Sequence, residues 1–275
     1  MERIDVGGRT LAVEARGSGE PVLLLHTGFV ADGMRPLLED DRLANGRRLI
    51  AYHRRGYGRS DPHPGSMSIE EQAADAVAVM DALGVGAADV AGHSLGATIA
   101  LELALAAPHR VRRLVIMEPL LLFALSAASA QVVMDVAAVA LPRFEQGDHA
   151  GALDAWLTGA FGEGYRAILE AALPGAFDQA VTDAPAAFGV EIPALQSWPR
   201  GLEDLRRITP PALVVMNAGP SWPGFAETQA ALLDRLPHAE GAVVPCRTHL
   251  LQMEDPAPVA AAIAGFVARP ARAGN

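Results

Sequence analysis

Short apolar runs alternate with longer stretches of helical periodicity along most of the chain. The runs Arg9 to Ala15, Pro21 to Leu25, Arg48 to Tyr52, Asp89 to Ala91, Arg112 to Met117, Ala212 to Met216 and Gly241 to Pro245 predict strands. Most are continuous and rich in Val, Leu and Ile, as expected of parallel strands buried on both faces. Helices fit between them. Ser68 reads as an N-cap ahead of Glu70 and Glu71 in a first turn, and Gly84 stops the periodic run that follows. Phe225 to Leu236 and Pro258 to Ala268 are similar amphipathic stretches. Strands and helices alternating at this length predict an α/β fold built on a doubly wound sheet.

One region breaks the alternation. From Pro119 to about Leu205 the pattern predicts no strand, only Ala/Leu-rich helical stretches interrupted by Pro142, Gly147, Pro174, Pro185, Pro193 and Pro199. The division expected is a core of 1–118 and 206–275 with a helical lid, 119–205, inserted after a strand. Such a lid would lie over the carboxyl ends of the strands, where ligands bind in open parallel sheets. The alternative is a string of helices packed on the flank of the sheet.

Composition narrows the class. At 275 residues the chain is near the upper size for one hydrophobic core, consistent with one main domain and an inserted lobe. Apolar residues make up 51% of it, yet no uninterrupted run reaches the roughly 18 to 20 residues of a membrane span. Met1 to Thr10 is charged and glycine-bearing and lacks the apolar middle of a secretory signal, so a cytoplasmic location is expected. The net charge of -10 argues against nucleic acid and anionic membrane surfaces as partners. The single cysteine, Cys246, forbids an internal disulfide and lies in an apolar run, as a buried structural thiol would. A homodimer stays open as an assembly state.

Candidate chemistry centres on Gly92, His93, Ser94, Leu95 and Gly96, between the apolar runs Ala88 to Ala91 and Ala97 to Ala107. This is strand, sharp turn and helix with a serine at the apex. Glycine two residues either side of the serine is needed because the turn is tight and strand and helix pack against it. The Leu95 amide, first in the helix, would point its hydrogen where negative charge develops. Gly84 and Gly86 lack the setting of a dinucleotide site, no phosphate-cradling G-K-S/T occurs, and no spaced Cys or His set fits a metal, so no cofactor is expected.

Leu23 to Gly28 (LLLHTG), Tyr52 to Asp61 (YHRRGYGRSD), the GHSLG turn, Arg110 to Pro119 (RVRRLVIMEP) and Thr248 to Pro256 (THLLQMEDP) resemble the successive landmarks of the α/β-hydrolase superfamily. They cover nearly the whole chain in the right order. The resemblance implies an eight-stranded, mostly parallel sheet with a helical cap, and a nucleophile, acid and histidine in that chain order. It is not specific for substrate. On it, Ser94 is the nucleophile and His249, in the loop between the last strand and the terminal helix, its base. His26 and His53 end strands, and His63, His109, His149 and His238 sit in polar or loop settings. The oxyanion hole would combine the Leu95 amide with that of Gly28 or Phe29, a choice the sequence leaves open.

The acid departs from the family pattern. Most members carry an aspartate shortly after the seventh strand, but here the segment reads Met216, Asn217, Ala218, Gly219, Pro220, Ser221, Trp222, and the next carboxylate is Glu227, inside a predicted helix. Glu118, at the end of the strand after the nucleophile helix, is the expected replacement, as in the zearalenone-lactonase-like subset that the chain resembles there. The other reading is a structural strand terminus. A serine at the turn excludes the alkyl-ester route of aspartate-nucleophile relatives and suits acyl transfer on an ester or lactone. Leu, Ala, Phe and Met in the helical region point to an apolar small-molecule substrate, with Trp198, Trp156 and His93 as contact candidates. His53 stands where the family commonly has an aspartate before R-R-G. Two other readings stay open, a non-hydrolytic lyase, cyclase or acyltransferase on the same scaffold and a ligand-binding protein with little turnover.

Overall fold

A computed structural model of the chain describes residues 1–63, 65–219 and 222–269. Its centre is one eight-stranded sheet formed by β1 (Glu2–Asp5), β2 (Thr10–Gly17), β3 (Glu20–Leu25), β4 (Arg47–Tyr52), β5 (Ala88–His93), β6 (Val111–Met117), β7 (Ala212–Asn217) and β8 (Ala239–Val244). The spatial order is β1-β2-β4-β3-β5-β6-β7-β8. β2 runs antiparallel to both β1 and β4, and every other pairing is parallel. All seven strands expected from the apolar runs are present. The strand that the pattern did not give is β1, a charged and largely exposed edge strand in the segment that the sequence presents only as polar. Edge strands need no buried face, so they leave no apolar period to read.

The helices are α1 (Arg35–Leu38), α2 (Asp41–Ala44), α3 (Ile69–Ala82), α4 (Leu95–Ala106), α5 (Ala127–Glu145), α6 (His149–Phe161), α7 (Tyr165–Ala172), α8 (Ala176–Ala186), α9 (Ile192–Ser197), α10 (Pro223–Arg235), α11 (Leu251–Glu254) and α12 (Pro256–Val267). α3 begins as its sequence predicts. The Ser68 side chain accepts from the Glu71 amide at 3.2 Å and the Glu71 carboxylate accepts from the Ser68 amide at 2.8 Å, a reciprocal capping box. α4 is buried at every position from Leu95 to Ala104, which is why its sequence is apolar all round.

Two cores cover the two faces of the sheet. Leu23, Leu25, Ile50, Val90 and Ile116 point to the face packed by α3 and α4, while Leu24, Leu49, Ala91, Val115 and Val215 point to the face packed by α12. A third cluster joins Leu153, Leu157, Leu169, Phe177 and Phe188 from the helices between β6 and β7 to Phe29, Val30, Tyr57 and Leu250 from loops of the sheet region. Apolar side chains shared in this way fix the helices over the strand ends.

α5 is the least enclosed of these helices. Val132, Met134 and Val139 are 42%, 62% and 51% exposed. Its 19 residues are long and apolar enough to cross a membrane by length and composition alone, although its apolar run is not continuous. Gln131 and Asp135 interrupt the run without making the helix polar.

Candidate active site

Ser94 is the single residue between the end of β5 and the start of α4, with φ 54° and ψ -119°. Its amide donates to the Met117 carbonyl at 2.8 Å, tying the turn to β6. The two glycines are needed as expected. A Cβ at Gly92 would be driven into the Gly96 carbonyl, and one at Gly96 into the carbonyls of Leu25 and His26. Among the described residues only three non-glycine positions have positive φ: Phe29 at 68°, Ser94 at 54° and Glu118 at 42°. Left-handed backbone costs on the order of 1 to 3 kcal/mol per residue and persists where the surroundings impose it. Phe29 and Ser94 line one cavity, and Glu118 bonds His249, which lines it too.

That cavity has a volume of about 830 Å³, its mouth included. Ser94, Leu95 and His249 form its floor with Thr27, Gly28 and Phe29, and Trp156, Phe161, Phe225, Ile192 and the inner valines of α5 form its apolar walls. Polar side chains at its surface are few, among them Ser94, His249 and Glu191.

The acid corner is assembled from three strand ends. His249 Nδ1 lies 2.6 Å from Glu118 Oε2, with both side chains buried. Glu118 Oε1 accepts from the Asn217 amide at 2.8 Å and from Asn217 Nδ2 at 2.7 Å. Asn217 in turn accepts from the Gly219 amide at 2.9 Å through Oδ1, which fixes its flip. Thus the end of β7, which lacks the family aspartate, supplies an amide that holds the carboxylate of β6. The sequence reading missed Asn217. A polar residue closing an apolar strand run was its only signal. In the segment Met216 to Trp222, Pro220 and Ser221 lie outside the described residues. Glu227 faces elsewhere, accepting from the Ser126 amide and hydroxyl at 2.7 Å each and from the Ser129 hydroxyl at 2.9 Å, at the start of α5.

The His249 ring stacks on Phe225, with centroids 4.2 Å apart and planes at 14°, and packs against Phe161 and His93 at 5.1 and 4.7 Å. With a carboxylate on Nδ1, the tautomer that satisfies the network carries its proton there and leaves Nε2 as an acceptor. Burial pushes His249 well below the ordinary histidine range. It also lifts Glu118, against the two Asn217 donors that favour the carboxylate. The Ser94 hydroxyl makes no hydrogen bond among the described residues, and it shares the cavity floor with His249.

At the opposite corner the amides of Gly28 and Phe29 differ in their hydrogen bonding. The Phe29 amide donates to the Tyr57 hydroxyl at 3.2 Å and so faces away from the cavity. The amides of Gly28 and Leu95 have no partner among the described residues. The two residues meet at the cavity floor, where a Cβ added to Gly28 would stand 3.8 Å from Leu95 Cβ.

Two expected contacts fall outside the cavity. Trp156 lines it, but Trp198 is packed in the core, its Nε1 donating to Glu102 Oε2 at 2.9 Å while Arg200 grips the same carboxylate at 2.8 and 2.9 Å. His93 alternates to the far side of β5 from the open cavity, where Gln252 Nε2 lies 3.1 Å from its Nδ1 and 2.8 Å from the Gly33 carbonyl. His53 also has a place, its Nε2 lying 3.1 Å from Asp32 Oδ1. Donor atoms of His93, Glu118 and His249 come within 4.8 Å of one another, a convergence that linear spacing does not show. The Glu118 oxygens and His249 Nδ1 are already committed to one another and to Asn217, so the set fits a hydrogen-bonded histidine better than a metal.

Residues 21–160 match the family model of the alpha/beta hydrolase fold, and the chain belongs to that family. It is 46% identical over 111 residues to a protein of Azorhizobium caulinodans provisionally named the carbamate hydrolase RutD, a match covering 40% of this chain and 41% of that protein. It is 39% identical over 104 residues to the 2-hydroxymuconate semialdehyde hydrolase of Pseudomonas putida, covering 37% of each. The chain thus spans about two fifths of the length of the curated relatives it matches. Among solved structures, an alpha/beta hydrolase from Sphaerobacter thermophilus superposes with a TM-score of 0.76 at 25% identity, covering 97% of this chain and all 100% of that one. The enol-lactonase of Burkholderia xenovorans superposes equally well, with a TM-score of 0.76 over 98% of this chain and 100% of that one, and at 18% identity it speaks for the fold alone. These relatives carry the superfamily, not the zearalenone-lactonase-like subset.

Proposed function

We propose that the protein is a serine hydrolase that cleaves a carboxylic ester or lactone of an apolar small molecule through an acyl-enzyme. The observation that carries the reading is the buried 2.6 Å contact of Glu118 with His249, beside a serine held in left-handed backbone on the floor of an apolar cavity. His249 Nε2 takes the Ser94 proton as the hydroxyl oxygen attacks the ester carbonyl. Glu118 holds the ring in the required tautomer and offsets the imidazolium charge, and the Leu95 and Gly28 amides receive the oxyanion. The protonated His249 then gives its proton to the departing alkoxide, which leaves as the alcohol or, in a lactone, stays attached through the acyl chain. Water, deprotonated in turn by His249, releases the carboxylic acid and restores Ser94. The hydrolase names of the matched relatives support the reaction class.

The test is hydrolysis of p-nitrophenyl butyrate and of an aromatic lactone by the purified chain. Ser94→Ala is expected to lower kcat by on the order of 10³-fold or more and to abolish labelling by a fluorophosphonate probe. Turnover that survives in Ser94→Ala within tenfold overturns the reading.

A further inference from the structure

Glu191 is a carboxylate in the wall of a mostly apolar cavity, and the mechanism above does not use it. It comes from a π-helical turn, Ala187–Glu191, between α8 and α9, an irregularity that recurs at functional sites. The side chain is buried, and burial lifts it above the ordinary glutamate range. Both of its oxygens are engaged by one loop of the sheet region. Arg54 Nε and Nη2 donate to Oε1 at 2.9 and 2.6 Å, and the Tyr57 hydroxyl donates to Oε2 at 2.5 Å.

The two residues that Glu191 holds are the ones that hold the oxyanion loop. Arg54 Nη1 donates to the His26 carbonyl, and Nη2 reaches the Thr27 carbonyl at 3.3 Å. The Arg54 amide donates to His26 Nε2 at 3.1 Å, which leaves the proton of this buried neutral ring on Nδ1, where it meets the Thr27 carbonyl at 2.7 Å. The Tyr57 oxygen, having given its hydrogen to Glu191, presents lone pairs to the Phe29 amide. That bond turns the Phe29 peptide away from the cavity and sustains the left-handed backbone next to Gly28. A Cβ on Gly28 would stand 3.7 Å from Glu191 Oε2, so the carboxylate and the loop face each other with room for one methyl group between them.

We propose that Glu191 is a positioning residue of the helical region. Acting through Tyr57 and Arg54, it sets the Gly28 amide for the oxyanion, so that docking of the helices and formation of the oxyanion hole are one event. The inference rests on the reading of Ser94 as nucleophile. A brace of this kind affects the transition state, where charge sits on the oxygen, and leaves ground-state binding in the apolar cavity alone.

The experiment compares Tyr57→Phe and Glu191→Gln with the unaltered chain. Each is expected to lower kcat for p-nitrophenyl butyrate by on the order of 10- to 100-fold, with KM within about twofold. The inhibition constant of an oxyanion-forming trifluoromethyl ketone should weaken by the same factor as kcat. Hydrogen exchange should speed up in the peptide covering residues 24–31 without rising across the sheet. Glu191→Gln keeps one acceptor oxygen and should lose less than Glu191→Ala. Unchanged exchange in 24–31 overturns the brace whatever reaction the protein catalyses. Faster exchange with unchanged kcat and ketone affinity overturns its catalytic role, as does a fall in thermal midpoint with kcat per folded molecule preserved. If the unaltered chain shows no Ser94-dependent turnover, the hydrolase reading fails, and the exchange measurement still decides the brace.

Discussion

The acid corner and the oxyanion corner face each other across one cavity, but they are held by different parts of the chain. Glu118, Asn217 and His249 sit at or just after the ends of β6, β7 and β8, so the sheet itself brings them together. Gly28 and Leu95 also follow strands β3 and β5, yet the support of Gly28 passes through Tyr57 to Glu191, which belongs to the helices. One corner is held by the ends of β6 and β7 and the loop after β8. The other depends on how the helices between β6 and β7 sit upon the sheet.

The sharpest test of the acid corner is Glu118→Gln, which removes the charge and keeps the volume. The expected loss in kcat is on the order of 10² to 10⁴, as for removal of an orienting carboxylate. Its pH profile separates this from a structural effect. His249 is pushed by burial below the ordinary histidine value of 6.5, and a base with a lowered pKa stays neutral to lower pH. The adjacent carboxylate opposes that push, so its removal should move the acid limb of kcat/KM further down. A rate within a few-fold of the unaltered chain, or an acid limb that moves up, refutes the assignment.

Asn217→Leu probes the same corner one bond further out. It leaves the backbone amide on Glu118 Oε1 and deletes the side-chain donor, so the carboxylate keeps one of its two Asn217 bonds. Loss of one charge-assisted hydrogen bond, roughly 1.5 to 3 kcal/mol at most, sets the upper scale, and kcat should fall by about tenfold. The oxyanion variants Tyr57→Phe and Glu191→Gln should match or exceed this fall while leaving the acid limb of the profile in place. That contrast, in pH dependence more than in rate, distinguishes the corners.

What was legible in the sequence follows the same division. Strand ends could be read because buried parallel strands write continuous apolar runs, and the residue closing each run is at the catalytic edge. Glu118 was read in that way, Ser94 from the G-x-S-x-G turn, and His249, in the loop after the last strand, from the family landmarks. Glu191 could not be. It lies 137 positions from Arg54 and 134 from Tyr57, inside a helical stretch whose period says nothing of what it docks against. The difference between the Gly28 and Phe29 amides was equally hidden, because it rests on the Tyr57 hydroxyl 28 residues away from Phe29. β1 left no mark for lack of a buried face, and Asn217 left none because its partner, Glu118, lies 99 residues away.

The two tryptophans give the smallest effect and the finest contrast, since composition alone made them equivalent. Trp156 lines the cavity and packs on Phe29 at 5.7 Å between ring centroids, so Trp156→Ala should raise KM for an apolar ester several-fold. Trp198 instead joins the segment after α9 to α4 through Glu102. In Trp198→Phe the ring stays buried and Arg200 still pairs with Glu102, so no charge is stranded and only one hydrogen bond is lost. The expected cost is about 1 to 2 kcal/mol of stability, read as a lower midpoint in urea unfolding, with KM unchanged within error. A raised KM in Trp198→Phe at unchanged stability would return that side chain to the substrate site, and with it the equivalence that the sequence suggested.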